Sequence, residues 1–214
     1  MVSDLLVGAI MKKYAALFVR GDSAYKNRAL WDCYDISRDA LSYCDDLPVV
    51  CHPPCRAWGQ LSHMAKPREG EEQLALWSID KIREVGGILE HPKASRLFGK
   101  YLPDANEFPD KFGGFTILID QYDFGHVAHK PTKLYFCGLR LDQLPPLPPK
   151  DYSFHYCDKG KLRSIDGQVT IKDVNGVLYK TTRCTQYQRE YTPEKLIDYI
   201  EAVLDIIRQN KGRI

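Results

Sequence analysis

Leu47-Pro48-Val49-Val50-Cys51-His52-Pro53-Pro54-Cys55-Arg56 carries a short apolar run straight into two consecutive prolines. The apolar run reads as a buried strand, and the prolines cannot extend a central strand, so the chain turns there. In open α/β sheets the carboxyl ends of the strands are where ligands sit. Working outward, Tyr14 to Arg20 is a second apolar run that ends in the turn signal Gly21-Asp22-Ser23, and Trp31 to Ile36 is a third. Residues Glu69 to Val85 fit a helix: Ala75, Ile79, Ile82 and Gly86 share a face flanked by Leu74 and Trp77, and Gly86-Gly87 supplies a stop. Ile88-Leu-Glu90-His91-Pro92, Phe115 to Asp120 and Lys133 to Cys137 read as further strands. Strands alternating with helical stretches predict an α/β sheet, parallel in sense, with helices on both faces.

The chain of 214 residues suits one domain with a full core. We expect a single domain over residues 1–214, with an α/β core at 1–143. A proline connector, a hairpin and a terminal helix occupy 144–214. Pro145-Pro146-Leu147-Pro148-Pro149 is the stiff connector. Gln168 to Lys172 and Val177 to Lys180 flank Asn175-Gly176, the dipeptide a tight hairpin turn favours. Thr192 is the expected N-cap of the last helix, with Pro193 at its first position and Leu196, Ile200, Val203 and Ile207 as its apolar stripe.

Composition narrows the function classes. Hydrophobic residues at 44% and charged residues at 27% belong to a globular chain, which excludes disorder as the working state. No apolar run reaches the roughly 18 residues of a membrane helix, so no membrane partner is expected. A balance of 30 basic against 28 acidic residues argues against a grip on nucleic acid through bulk charge. The first residues show no basic n-region and the seven cysteines no regular framework, which points to free thiols in the cytoplasm.

Three segments place chemically able residues at strand ends: Cys51 to Arg56, Glu90-His91-Pro92, and Gly125-His126 through Lys130-Pro-Thr-Lys133. A cysteine in this setting is ordinarily an inert small hydrophobe, but the double proline and Arg56 beside Cys55 argue for reactivity, since a nearby cation or helix N-terminus lowers a thiol pKa. Cys51, His52, Cys55 and His63 form an alternative metal set, but no second pair with matching spacing follows, so no metal is expected. Trp58 is read as packing.

In order, these segments resemble the catalytic half of the cytosine-C5 DNA methyltransferases, in a truncated, phage-type form. That family has a Pro-Cys loop after a strand, a Glu-Asn-Val strand end, and a Gly-x-x-Gln-x-Arg-x-Arg segment entering a strand. Here the matches are Pro54-Cys55, Glu90, and Gly125 to Lys133, with Lys130 and Lys133 at the arginine positions; the following strand and Gly138 also fit. The resemblance spans residues 47–138. It implies a Rossmann-like methyltransferase-type sheet, a pyrimidine nucleotide or DNA as substrate, and S-adenosylmethionine as methyl donor. It also suggests a phage or prophage source, the cytoplasm then being the host's. Cys55 would add to pyrimidine C6, Glu90 would supply the proton at N3, and Lys130 would stabilise charge at O2. Pro54, Arg56, His91, His126 and Lys133 would line the substrate site, and Asp22, Ser23 and Asp35 the donor site. Two departures stand against the match. Phe18-Val-Arg-Gly-Asp-Ser has one glycine where the family has Phe-x-Gly-x-Gly, and the stretch before the last helix is short for a target-recognition region. Two rivals follow: a nucleotide-binding or nucleotide-processing enzyme on the same frame without S-adenosylmethionine, and an inactive phage protein that sequesters a nucleotide or blocks a host defence protein.

Overall fold

Alternation of side chains at period two, with both faces apolar, builds a sheet that must be covered on both sides. In the computed structural model six strands form it: β1 (Tyr14–Leu17), β2 (Trp31–Tyr34), β3 (Val49–Cys51), β4 (Gly87–Pro92), β5 (Phe115–Asp120) and β6 (Pro131–Cys137). Their spatial order is β2-β1-β3-β4-β6-β5. The structure describes residues 10–60, 62–127, 129–150, 168–172, 178–182 and 185–212.

One face of the sheet presents Tyr14, Ala16, Val50, Ile88, Leu134 and Phe136, packed against Leu196, Ile197, Ile200, Val203, Leu204 and Ile207 of helix α3 (Glu194–Lys211). The other presents Ala15, Leu17, Val49, Cys51, Leu89, Tyr135 and Cys137 to Ala75, Ile79, Ile82 and Val85 of helix α1 (Glu71–Val85). The result is a three-layer α/β arrangement with one long helix on each face. Helix α3 was expected beyond the α/β core of residues 1–143; it is instead a layer of that core, because its apolar stripe packs along that face of the sheet together with Tyr25, Phe124 and Leu139. Arg28 fastens its first turns to the sheet through Glu194 (2.6 Å) and Asp198 (2.7 Å).

Two expectations need correction. The sheet is mixed: β1, β2, β3 and β4 run parallel, while β6 is antiparallel to both β4 and β5. And the alternation of strand with helix holds at one crossover only. Single 3-10 turns, Ala24–Asn27 and Ala40–Ser42, stand between β1 and β2 and between β2 and β3. Only β3 to β4 carries a full helix. At the last helix the cap is Pro193, with extended ψ of 145°, one residue later than expected; its carbonyl accepts from Leu196 and Ile197.

A separate two-stranded antiparallel ribbon, β7 (Gln168–Lys172) with β8 (Leu178–Thr182), lies outside the main sheet as expected. Its Asn175-Gly176 turn falls outside the described residues. A short helix α2 (Gln186–Glu190) then leads to α3, opened by Thr185, whose Oγ1 accepts from the Gln188 amide. No helix among the described residues is long and apolar enough to cross a membrane.

From β1 the chain moves to β2 on one side and later to β3 on the other. This reversal creates a crevice outside the carboxyl ends of β1 and β3, the place where open α/β sheets bind ligands.

Candidate functional site

A cavity of about 610 Å³ occupies that crevice, a volume in the range of small-ligand sites. Five pieces of chain wall it. The turn after β1 contributes Phe18, Arg20, Asp22, Ser23 and Tyr25; the loop after β3 contributes His52, Pro54, Cys55 and Arg56. The end of β4 contributes Glu90 and His91, and Lys130 comes from the β5–β6 connection. Helix α2 and the residues after it close the remaining side with Tyr187, Glu190 and Tyr191.

Local chemistry fixes each wall. His52 donates its amide to the Leu17 carbonyl (3.0 Å), so the β3 exit is still laced to β1 when the prolines turn it outward. The Cys55 carbonyl then accepts from Trp58 (3.0 Å) and Gly59 (2.8 Å) in a tight turn, and the Trp58 ring is buried against α1 with its indole N–H on the Glu72 carbonyl. Lys130 is placed by Asp120, whose Oδ1 accepts from the amides of Tyr122 (3.0 Å) and Lys130 (2.8 Å). The Lys130 ammonium donates to the Tyr191 carbonyl (3.3 Å), which ties α2's exit to the sheet edge.

Glu90 is the centre of the polar network. Its Oε2 accepts from His52 Nδ1 (2.7 Å) and its Oε1 from Gln121 Nε2 (2.9 Å). Burial pushes its pKa up, but Lys130, the His52 hydrogen bond and His91 outweigh it and hold the carboxyl at about 2. The carboxylate is therefore ionised at neutral pH. The Gln121 amide agrees. Its N–H₂ donates to Glu90 Oε1 and Thr132 Oγ1 while its oxygen is buried without a partner, an orientation in keeping with an acceptor carboxylate.

Of the site residues expected from sequence, Cys55, Glu90, Lys130, Pro54, Arg56, His91, Asp22 and Ser23 line this one cavity. Three do not. Asp35 accepts from Ser37 N (2.9 Å), Ser37 Oγ (2.6 Å) and Arg38 N (3.2 Å) and pairs with Lys26, so its oxygens serve the turn after β2. Lys133 points to the α1 face, pairing with Asp104 (2.5 Å) over the Phe98 ring. His126 is buried and donates from Nε2 to the Gln188 carbonyl (2.8 Å), which makes it an anchor of α2.

The electrostatics of Cys55 also differ from expectation. Arg56 is committed to a bidentate pair with Glu71 (2.8 and 2.7 Å), and among the described residues no helix starts between Cys55 and Glu71, so the cation acting on the thiol is Lys130, whose effect is smaller than those of burial and of the Glu90 charge. Desolvation in the cavity wall and then the Glu90 charge push the Cys55 pKa up, although one side of the residue is open to solvent. Cys55 therefore rests as a thiol at neutral pH. Among the described residues no group of three or more His, Cys, Asp or Glu side chains is arranged to hold a metal; Cys51 is buried under α1, away from His52. Tyr25, Gln121, Tyr187 and Arg20 escaped the sequence reading. His52 was weighed only as a metal ligand, although its place in the His-Pro-Pro-Cys run was a usable signal.

His91 is 1% exposed and neither ring nitrogen closes a hydrogen bond; the Pro53 and Pro54 carbonyls only modestly favour its charged form. Burial dominates and lowers its pKa to about 4. The unfolded chain, near 6.5, therefore binds a proton that the folded protein refuses, and stability falls as pH drops from about 6.5 to 4, by up to about 3 kcal/mol. Glu90, depressed from 4.5, adds a second loss between about pH 4.5 and 2. Denaturant titrations at pH 7 and pH 5 are expected to show the first loss in the wild type and not in His91→Met.

The fold and the cavity together define a three-layer mixed α/β protein with a cysteine–carboxylate–lysine crevice at the switch point of its sheet. No protein-family description matches the chain, and no curated protein and no solved structure is significantly similar to it.

Proposed function

We propose that the protein is a pyrimidine-directed enzyme of Rossmann-like methyltransferase type that transfers a methyl group to C5 through a Cys55 nucleophile. The observation that carries this reading is the convergence of Cys55, Glu90 and Lys130, from three separate strand ends, on one cavity. Pyrimidine C5 becomes nucleophilic once sulfur adds at C6, and that addition needs a proton at N3 and a cation toward O2. Glu90 faces the first need and Lys130 the second. The mixed strand order and the crevice between β1 and β3 are in keeping with a Rossmann-like frame.

S-adenosylmethionine would supply an electrophilic methyl group to C5. The donor side of the cavity places two carboxylates, Asp22 and Glu190, each 2.9 Å from the guanidinium of Arg20, and such carboxylates are groups a sulfonium would approach. Phe18 and Tyr187 offer rings beside it. In this reading Asp22 and Ser23 keep the donor-side places expected of them, and Asp35 does not. Titration calorimetry with S-adenosylmethionine and with deoxycytidine and deoxyuridine monophosphates tests the assignment. Binding of both donor and pyrimidine supports methyl transfer. Binding of the nucleotide alone favours a nucleotide-processing enzyme and overturns the donor.

A further inference from the structure

His52 lines the cavity, and the proposed reaction leaves it idle. His52 lies between the Glu90 carboxylate (Nδ1 to Oε2, 2.7 Å) and the hydroxyl of Tyr25 (Nε2 to Oη, 3.2 Å), with the two rings 5.4 Å apart. Its side chain is 12% exposed and that of Glu90 11%, so water has little access to the contact. Tyr25 is fully buried.

We propose, resting on the methyl-transfer reading, that His52 is a positioning residue that acts through Glu90: it delivers the proton that Glu90 hands to N3 of the pyrimidine, and takes it back when the cysteine leaves. The need arises because Glu90 rests as a carboxylate and has no proton of its own to give. Both of its oxygens already face fixed donors, and of these only His52 can release its proton; Gln121 cannot. The other groups around Glu90 are poor sources. His91 is neutral, Tyr25 is held protonated by burial and then by Glu90 itself, and Lys130 is the cation whose charge keeps Glu90 ionised. The Cys55 thiol proton leaves at the open side of the cavity.

The step balances. The imidazolium N–H breaks as the proton crosses to Glu90 and on to N3, while the sulfur lone pair forms the S–C6 bond and the ring gains one hydrogen and no net charge. Tyr25 suits this exchange because its hydroxyl oxygen accepts a hydrogen bond. It takes the Nε2–H of the charged ring and equally that of the neutral ring left once Nδ1 has given up its proton, so His52 changes charge without moving.

His52→Asn is the discriminating variant, since its amide keeps an N–H near the Nδ1 position yet carries no transferable proton. With a 5-fluorinated pyrimidine substrate and S-adenosylmethionine, His52→Asn is expected to slow covalent trapping about 100-fold and to lower its solvent deuterium isotope effect, because no proton then crosses from the ring. Tyr25→Phe is expected to slow it less and to keep the isotope effect. A His52→Asn protein with the wild-type rate and isotope effect overturns the proposal. The coupling is also read without any reaction, from the carboxyl ¹³C titration of Glu90. In His52→Leu its midpoint is expected to rise from about 2; an unchanged midpoint overturns the proposal. If the wild type traps no pyrimidine at all, the methyl-transfer reading fails, and the carboxyl titration alone decides whether His52 governs Glu90.

Discussion

Cys55→Ala is expected to abolish the covalent adduct with a 5-fluorinated pyrimidine completely, as read by intact mass, while changing stability by less than about 0.5 kcal/mol. The stability half follows from exposure: Cys55 lies at the cavity mouth and its replacement removes no core packing. Cys51→Ala is expected to do the reverse. Cys51 is fully buried between β3 and α1, so its loss costs about 1 kcal/mol or somewhat more and leaves the adduct intact. Glu90→Gln separates two effects that usually travel together. Removing the carboxylate charge relieves the repulsion that pushes the Cys55 pKa up, so iodoacetamide is expected to alkylate Cys55 faster in this variant. Trapping is expected to slow at the same time, because an amide cannot pass a proton to N3. Slower alkylation in Glu90→Gln, or an adduct surviving Cys55→Ala, would remove the nucleophile from the proposed reaction.

Gly86→Val is expected to destabilise the protein by about 2–4 kcal/mol, lowering the melting temperature by roughly 5–15 °C for a domain of this size. Gly86 ends α1 with φ of +74°, a conformation that a side chain disfavours. A Cβ there would also stand 2.6 Å from Ile207 Cγ2 of α3, so the last helix must shift away from the sheet. Gly99→Ala serves as the control. Gly99 has a similar φ of +79° but open space around its Cα, and its replacement is expected to cost only the backbone strain, about 1 kcal/mol. Equal losses in the two variants would show that the α1–β4 turn has room to spare beside α3.

Periodicity made most of the elements legible. The strands from Tyr14, Trp31, Val49, Gly87 and Phe115, and the helices over Glu71–Val85 and Glu194–Lys211, all follow from apolar spacing. The sense of β6 did not, because a strand reads the same in either direction and only its neighbours decide. The site was legible where consecutive residues carried it, as in Pro54-Cys55 and Glu90-His91. It was not legible where a side chain's direction mattered. Lys133 shares the face of Tyr135 and Cys137, two and four residues on, and so turns from the cavity toward Phe98. Arg56 is claimed by Glu71, fifteen residues away, and Asp35 by its own turn; neither partnership leaves a mark in the local sequence. Tyr25 and Gln121 sit in 3-10 turns whose aim depends on the finished sheet.

The order in which the layers appear along the chain has a consequence for biosynthesis. All six strands leave the ribosome before α2 and α3. Until α3 arrives, the face carrying Tyr14, Val50, Ile88, Leu134 and Phe136 lacks the cover that helix gives it, and such surface invites association between nascent chains. The cavity is likewise unfinished, because Tyr187, Glu190 and Tyr191 and the anchors His126–Gln188 and Lys130–Tyr191 join it last. Vectorial synthesis therefore keeps the cysteine crevice open on one side until α2 and the residues after it have been made, and closing it requires contacts of long sequence separation, the slow kind.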